Sequence, residues 1–284
     1  MFLCWGYAKA FMKSFEIGTK LTQVFFLHGL RGHGLAQHAA LQHMVKNLGV
    51  KMISLELDGH GAESARRHCL VPPFEQIVED ICAEIQRQAV DAEQVMLMGY
   101  SFGGALMVLA ANRLMQDPNF SPRVRGFIGV STAFDVGHNV PGWQLGLVNA
   151  ISPLSRFLFE KAWRLSRLLT IREMDLDLIS PDKTVTHALQ NDPLVYKGRI
   201  PLATSAQVYH AGIAAKAALQ QCSLDTLLLH SRDDKIALPP DKTTFGKHVQ
   251  VRLFSKLRHN CIDGISREVV VSRKTITQFI VARL

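Results

Sequence analysis

The sequence predicts an α/β fold with a mostly parallel central sheet, helices on both faces and a helical cap inserted between two parts of the core. Three observations carry this. Short apolar runs alternate with longer stretches of helical period on either side of residues 135–203. Several of the runs end in glycine turns, at His28-Gly29, at Asp58-Gly59-His60-Gly61 and at Gly99-Tyr100-Ser101-Phe102-Gly103. Such turns are where an open α/β sheet builds its site. Within 135–203 the alternation stops, and Pro141, Gly142, Pro153, Pro181, Pro193 and Pro201 punctuate short helical pieces.

The elements follow in order. Leu21 to Leu27 is β-branched and aromatic, hence a strand, and it ends at His28-Gly29-Leu30-Arg31-Gly32-His33. A helix is expected from about Leu35 to Leu48, and a strand over Val50–Leu55. Phe74, Ile77, Val78, Ile81 and Ile85 recur at helical spacing behind Pro72-Pro73. Gln94–Met98 reads as a buried strand and Ala105–Ala111 as a buried helix. Val124–Val130 is the next core strand. In the cap, Leu154–Leu169 has one apolar face, with Arg156, Lys161, Arg164 and Arg167 off it. That pattern suits a cap helix with a solvated basic face, or a lid touching anionic lipid. Beyond the cap come a helix over Ser205–Gln221, strands at Thr226–His230 and His248–Phe254, and a closing helix over Glu268–Leu284.

With 284 residues, 48% hydrophobic and 20% charged, one large domain is expected over 1–284. Its core would span about 20–134 and 204–284, with the cap at 135–203. The net charge of +8 fits an ordinary basic surface, or one drawn to anionic lipid or an acidic substrate. No Lys/Arg run interleaves with aromatics and no zinc-finger spacing occurs, so nucleic acid is not an expected partner. The cysteines Cys4, Cys69, Cys82, Cys222 and Cys261 are odd in number and widely spaced, which argues for a reducing, cytoplasmic setting rather than a disulfide framework. The apolar start, Met1 to Phe15, is interrupted by Lys9 and Lys13 and lacks a basic segment ahead of a long apolar run, so no signal peptide is expected. No run reaches transmembrane length.

Chemistry concentrates on the G-x-S-x-G turn, because it lies between a strand and a helix. A sharp turn there lifts the Ser101 hydroxyl clear of the sheet, and glycine is needed where side chains would strike the neighbouring elements. The helix behind it aims its N-terminal N–H groups at the place where an oxyanion would form. A serine nucleophile needs a histidine base and a carboxylate to orient that base. His259 is the only histidine after His248 and lies in a loop before the closing helix, which makes it the candidate base. The strand ending at His230 leads into Ser231-Arg232-Asp233-Asp234, and either aspartate can serve as the acid. Asp135 is a weaker placement. His28, His33 and His60 cluster near the same sheet edge without an H-E-x-x-H or carboxylate-flanked pattern, so they are read as loop-shaping rather than as metal ligands.

From about Val24 onward these residues resemble the α/β-hydrolase superfamily, and within it the monoglyceride lipase, lysophospholipase and serine aminopeptidase group. His28-Gly29-Leu30-Arg31-Gly32-His33 matches the group's H-G-x-x-x-H, and Asn191-Asp192-Pro193-Leu194-Val195-Tyr196 resembles its cap-to-core segment. Glu56 and Glu63 replace an aspartate and a serine of the group's D-x-x-G-H-G-x-S. Tyr100 stands where monoglyceride lipases usually carry histidine, and Ser231 where glycine is usual. The resemblance implies an α/β-hydrolase fold, Ser101 as nucleophile, His259 as base, Asp234 as acid, and the backbone N–H groups of Leu30 and Phe102 as the oxyanion hole, with no cofactor or metal. It implies a serine hydrolase of carboxylic esters, of monoacylglycerol or lysophospholipid type. A thioesterase or acyltransferase using the same triad, and a non-catalytic hydrolase-fold protein that binds a small ligand, are the other readings. The basic cap helix is the expected site of any peripheral membrane contact.

Overall fold

The computed structural model describes residues 14–17, 22–45, 48–64, 69–136, 170–171 and 175–284. In chain order the elements are β1 (Ser14–Ile17), β2 (Thr22–Leu27), α1 (His38–Val45), β3 (Lys51–Leu55), α2 (Phe74–Gln88), β4 (Gln94–Tyr100), α3 (Phe102–Met115) and β5 (Val124–Val130). There follow β6 (Thr170–Ile171), α4 (Leu176–Ile179), α5 (Lys183–Asn191), β7 (Ile200–Pro201), α6 (Leu202–Gln221), β8 (Thr226–Ser231), β9 (Val249–Phe254) and α7 (Arg267–Val281).

Seven strands form one sheet in the order β1-β3-β2-β4-β5-β8-β9. All neighbours are parallel except β1, which pairs antiparallel to β3. This is the α/β-hydrolase arrangement expected, with β1 as an addition that the sequence reading missed. β6 and β7 form a separate two-stranded antiparallel pair.

The parallel strands are apolar runs because both of their faces are covered. Successive residues of β2 divide between two cores. Phe25 and Leu27 pack with Ile81 and Ile85 of α2, Leu106 of α3 and Ala211 of α6. Val24 and Phe26 pack with Leu41 and Val45 of α1 and with Ile276 and Ile280 of α7. The amphipathic stripe read for α2 is the buried one: Ile77, Val78, Ile81, Cys82 and Ile85 face inward. α3 lies between α2 and α6 and is buried on most of its surface, which explains why it is apolar all round rather than striped. α6 starts at Leu202, behind Pro201, earlier than the Ser205 start expected. Pro is well placed at a helix start because no intrahelical partner awaits its missing N–H.

The strand ends place four loops side by side. β2 and β4 are adjacent and end together, with Leu27 opposite Gly99. β8 and β9 run in the same direction, with Ser231 opposite Phe254. Four loops therefore leave one edge of the sheet, carrying residues 28–33, 101–102, 232–237 and 255–260. The basic helix expected over 154–169, most of the cap before residue 170, and the apolar start of the chain lie outside the described residues.

Candidate active site

Ser101 sits between β4 and α3 with φ +54° and ψ −120°. This is left-handed for a residue with a Cβ, a strain of roughly 1–3 kcal/mol that the surroundings must impose. They do so through close approach. A Cβ on Gly99 would lie 2.5 Å from the Gly103 carbonyl oxygen, and one on Gly103 only 2.2 Å from the His28 carbonyl oxygen. The two glycines of G-x-S-x-G thus let α3 fold back against β4 and let the end of β2 press on the elbow. The Ser101 N–H donates to the Val130 carbonyl (2.9 Å), and the Ser101 carbonyl accepts from Ala105 and Ala133. Gly29 crosses over the serine: a Cβ there would be 3.1 Å from that of Ser101.

His259 Nε2 lies 2.8 Å from Ser101 Oγ, and His259 Nδ1 lies 2.8 Å from Asp234 Oδ2. A carboxylate only accepts, so Nδ1 carries the proton and Nε2 is left to take one from the serine. All three side chains are buried. Of the two candidate acids, Asp234 faces His259, while Asp233 is exposed and its N–H turns back to Ser231 Oγ. Asp135 is exposed.

Asp234 is heavily hydrogen-bonded. Oδ1 accepts from the N–H groups of Ile236 (2.8 Å) and Ala237 (3.0 Å). Burial would raise its pKa, but the neighbouring His259 charge and the hydrogen bonds from His230 and His259 outweigh it and hold the carboxyl well below the usual range. His230 is the residue of this cluster that sequence reasoning missed. Its Nε2 is 3.1 Å from Asp234 Oδ2 and 2.8 Å from the Ala237 carbonyl. Both partners are acceptors, so Nε2–H donates to both. The signal was a histidine directly after the aliphatic run Leu227-Leu228-Leu229, buried near the end of the strand that leads into the acid loop.

Tyr100 packs its ring 5.2 Å from that of His259, and burial, with Asp234 nearby, drives its phenol pKa well up. It stays neutral and supports the base from one side. Among the described residues, no acceptor engages the N–H of Leu30 or of Phe102. The Phe102 N–H opens α3, where the helix dipole favours negative charge.

Of the three histidines, His28 and His60 stay together and His33 parts from them. His28 and His60 rings lie 5.4 Å apart, and His28 Nε2 accepts from the Leu57 N–H. Glu56, one of the two departures noted above, places its carboxylate 3.1 Å from His28 Nε2 and accepts from the Gly34 N–H. A Cβ on Gly61 would be 2.8 Å from the same carboxylate, so the Gly-His-Gly turn makes room for it. His33 instead reaches Asp192, 2.8 Å away.

The base loop leans on the inserted region. The His259 and Asn260 N–H groups donate to the Leu178 and Ile179 carbonyls of α4 (3.3 and 2.8 Å). The Arg258 guanidinium donates to the Asp177 and Ser180 carbonyls.

Residues 19–263 match the serine aminopeptidase S33 family. The monoglyceride lipase of Mus musculus is 24% identical over 221 residues, covering 77% of this chain and 67% of its own. Among solved structures, the monoacylglycerol lipase of Paleococcus ferrophilus superposes with a TM-score of 0.78 at 18% identity, over 96% of this chain and 99% of that one. A soluble variant of the Saccharomyces cerevisiae monoglyceride lipase, in complex with a substrate analogue, gives 0.73 at 16% identity, over 95% and 91%. These structural likenesses extend the shared fold over nearly the whole chain. Because the family match takes in every side chain of the site just described, the chain belongs to the serine aminopeptidase S33 family and is an α/β-hydrolase enzyme.

Proposed function

We propose that this protein is a serine hydrolase of carboxylic esters, with monoacylglycerols or lysophospholipids as its substrate class. The observation that carries the proposal is the unbroken relay Asp234–His259–Ser101, two contacts of 2.8 Å each in a buried setting. Lipase-like relatives and the apolar character of the cap support a lipid ester.

In the first step His259 Nε2 takes the Ser101 proton as Oγ attacks the ester carbonyl. Negative charge moves to the carbonyl oxygen, where the Leu30 and Phe102 N–H groups receive it. A donor of this kind is worth about 3 kcal/mol of barrier. Collapse of the intermediate breaks the C–O bond, and the imidazolium gives its proton to the departing alcohol. Water, deprotonated by the same nitrogen, then attacks the acyl-enzyme and releases the fatty acid with Ser101 restored. Asp234 stays ionised throughout, holding the tautomer that leaves Nε2 free and stabilising the imidazolium.

Among the described residues no helix is long and apolar enough to cross a membrane. Lipid substrate would be met at a membrane surface through the basic stretch of residues 154–169. Cys69, Cys82, Cys222 and Cys261 are free thiols, which supports a cytoplasmic setting.

The test is hydrolysis of a chain-length series of p-nitrophenyl esters, a monoacylglycerol, a lysophospholipid and an acyl thioester by the wild type and Ser101→Ala. Turnover by the wild type alone, with lipid esters preferred to the thioester, supports the proposal. Equal rates for the two proteins, or a preference for the thioester, would overturn it.

A further inference from the structure

The loop that carries Leu30 makes little use of its own atoms. Within residues 28–33 the internal bonds are Gly32 N–H to the Gly29 carbonyl (3.2 Å) and His28 Nδ1 to the same oxygen (2.8 Å). Arg31, next to Leu30, is held at φ +71°, a left-handed conformation that a side chain disfavours. Something outside the loop must hold it there.

That support comes from residues 192–198, far along the chain. The Tyr196 N–H donates to the Arg31 carbonyl at 3.0 Å. Arg31 is a buried residue, and its guanidinium donates back to the Tyr196 carbonyl (3.4 Å) and to the Gly198 carbonyl. It also lies 5.9 Å from the centre of the Tyr196 ring. Two residues on, His33 Nδ1 accepts from the Leu35 N–H at 3.3 Å, so the proton of its neutral ring is on Nε2 and requires an acceptor. Asp192 Oδ2 supplies it at 2.8 Å, while Oδ1 accepts from the Leu194 N–H at 2.8 Å. Both carboxylate oxygens are committed, one to the loop and one to the arm.

We propose that Asp192 and Arg31 are positioning residues for the oxyanion hole: the arm returning from the inserted region sets the placement of the Leu30 N–H, through His33 at one end of the loop and Arg31 in its middle. This rests on the ester-hydrolase reading above. The same inserted stretch holds the His259 loop through the Leu178 and Ile179 carbonyls, so residues 176–198 brace both halves of the site. The region expected to select the substrate therefore also tunes transition-state stabilisation, and a change in it reaches kcat as well as KM.

Asp192→Asn is the sharpest probe. It keeps the shape but sets an amide donor against either the His33 Nε2–H or the Leu194 N–H. The readouts are kcat and KM on p-nitrophenyl acetate, too short to fill an acyl pocket, and the affinity of an alkyl trifluoromethyl ketone, whose serine hemiketal places an oxyanion in the hole. Expected is a fall in kcat of about ten- to hundredfold, below the full cost of deleting a donor, with KM within about twofold and ketone affinity lowered in proportion. Arg31→Lys, which keeps the charge but loses the fork, should act in the same direction and serves if the first variant fails to fold. Unchanged kcat in both variants, or a rise in KM with no loss of ketone affinity, would overturn the inference while leaving the ester-hydrolase reading intact. Ester hydrolysis by the wild type that survives Ser101→Ala would remove the reading beneath it as well.

Discussion

The serine elbow and the oxyanion loop touch each other at the ends of adjacent strands, yet they are shaped by opposite means. The elbow is made by its own sequence. Gly99 and Gly103 permit the turn, and the positive φ of Ser101 follows from the strand, helix and adjacent β2 end crowding around it. The loop at 28–33 has an equally unfavourable residue in Arg31, but its support lies 165 and 167 residues away, at Tyr196 and Gly198. A conformation enforced by local sterics is insensitive to what happens in the inserted region. One held by distant hydrogen bonds is not. On the proposed reading, the nucleophile is thus built into the core, while the oxyanion loop depends on residues 192–198.

The largest expected effect breaks the elbow. Gly103→Ala places a Cβ against the backbone oxygens of both Leu27 and His28, which cannot swing away as a side-chain tip can. Stability should fall by about 3 kcal/mol, read by denaturant unfolding, with ester hydrolysis lost alongside.

A smaller effect is expected from His230→Leu, which removes one donor from Asp234 Oδ2. A hydrogen bond to a charged group is worth about 1.5–3 kcal/mol, so kcat should drop roughly tenfold or more with KM little changed. His230→Gln, which returns an N–H near the same place, should recover much of the loss.

Acid stability follows next. The folded-state pKa of Asp234 lies below its unfolded value, so its contribution to stability is complete above about pH 4 and is lost as the pH falls toward the depressed folded value. Unfolding midpoints measured from pH 6 down to pH 2 should fall less steeply for Asp234→Asn than for the wild type.

The smallest effect sharpens the comparison most finely. The Cys69 thiol lies beside Arg31, and burial pushes its pKa up to about 12. At pH 8 the native thiol should resist a thiol reagent. Asp192→Asn should speed its labelling by loosening the loop, whereas Ser101→Ala, a change in the elbow, should not.

The same division explains what was legible in the sequence. Buried parallel strands are apolar by necessity, so the strands from Val24 to Phe254 could be read, as could the stripe of α2. β1 has only four residues and β6 and β7 two each, too short for any period to show. The turn at Ser101 was legible because the glycines it requires, Gly99 and Gly103, stand within two residues of the serine. The local residues left Asp233 and Asp234 open, because both follow the strand and only the packing of the acid loop decides which is buried; the family resemblance alone pointed to Asp234. His230 looked like the end of a strand, and its meaning appears only when Asp234 folds back over it. His33 and Asp192 were each noted, one as loop-shaping and the other as part of a cap-to-core segment, but nothing local joins residues 159 positions apart.

The most direct measurement is the mapping by mass spectrometry of the adduct formed by an alkyl fluorophosphonate, with its rate followed in the wild type and in His259→Gln. A single adduct on Ser101, slowed about a hundredfold or more in the variant, is the expected result. An adduct elsewhere, or an unchanged rate without His259, would contradict a serine nucleophile activated by this relay.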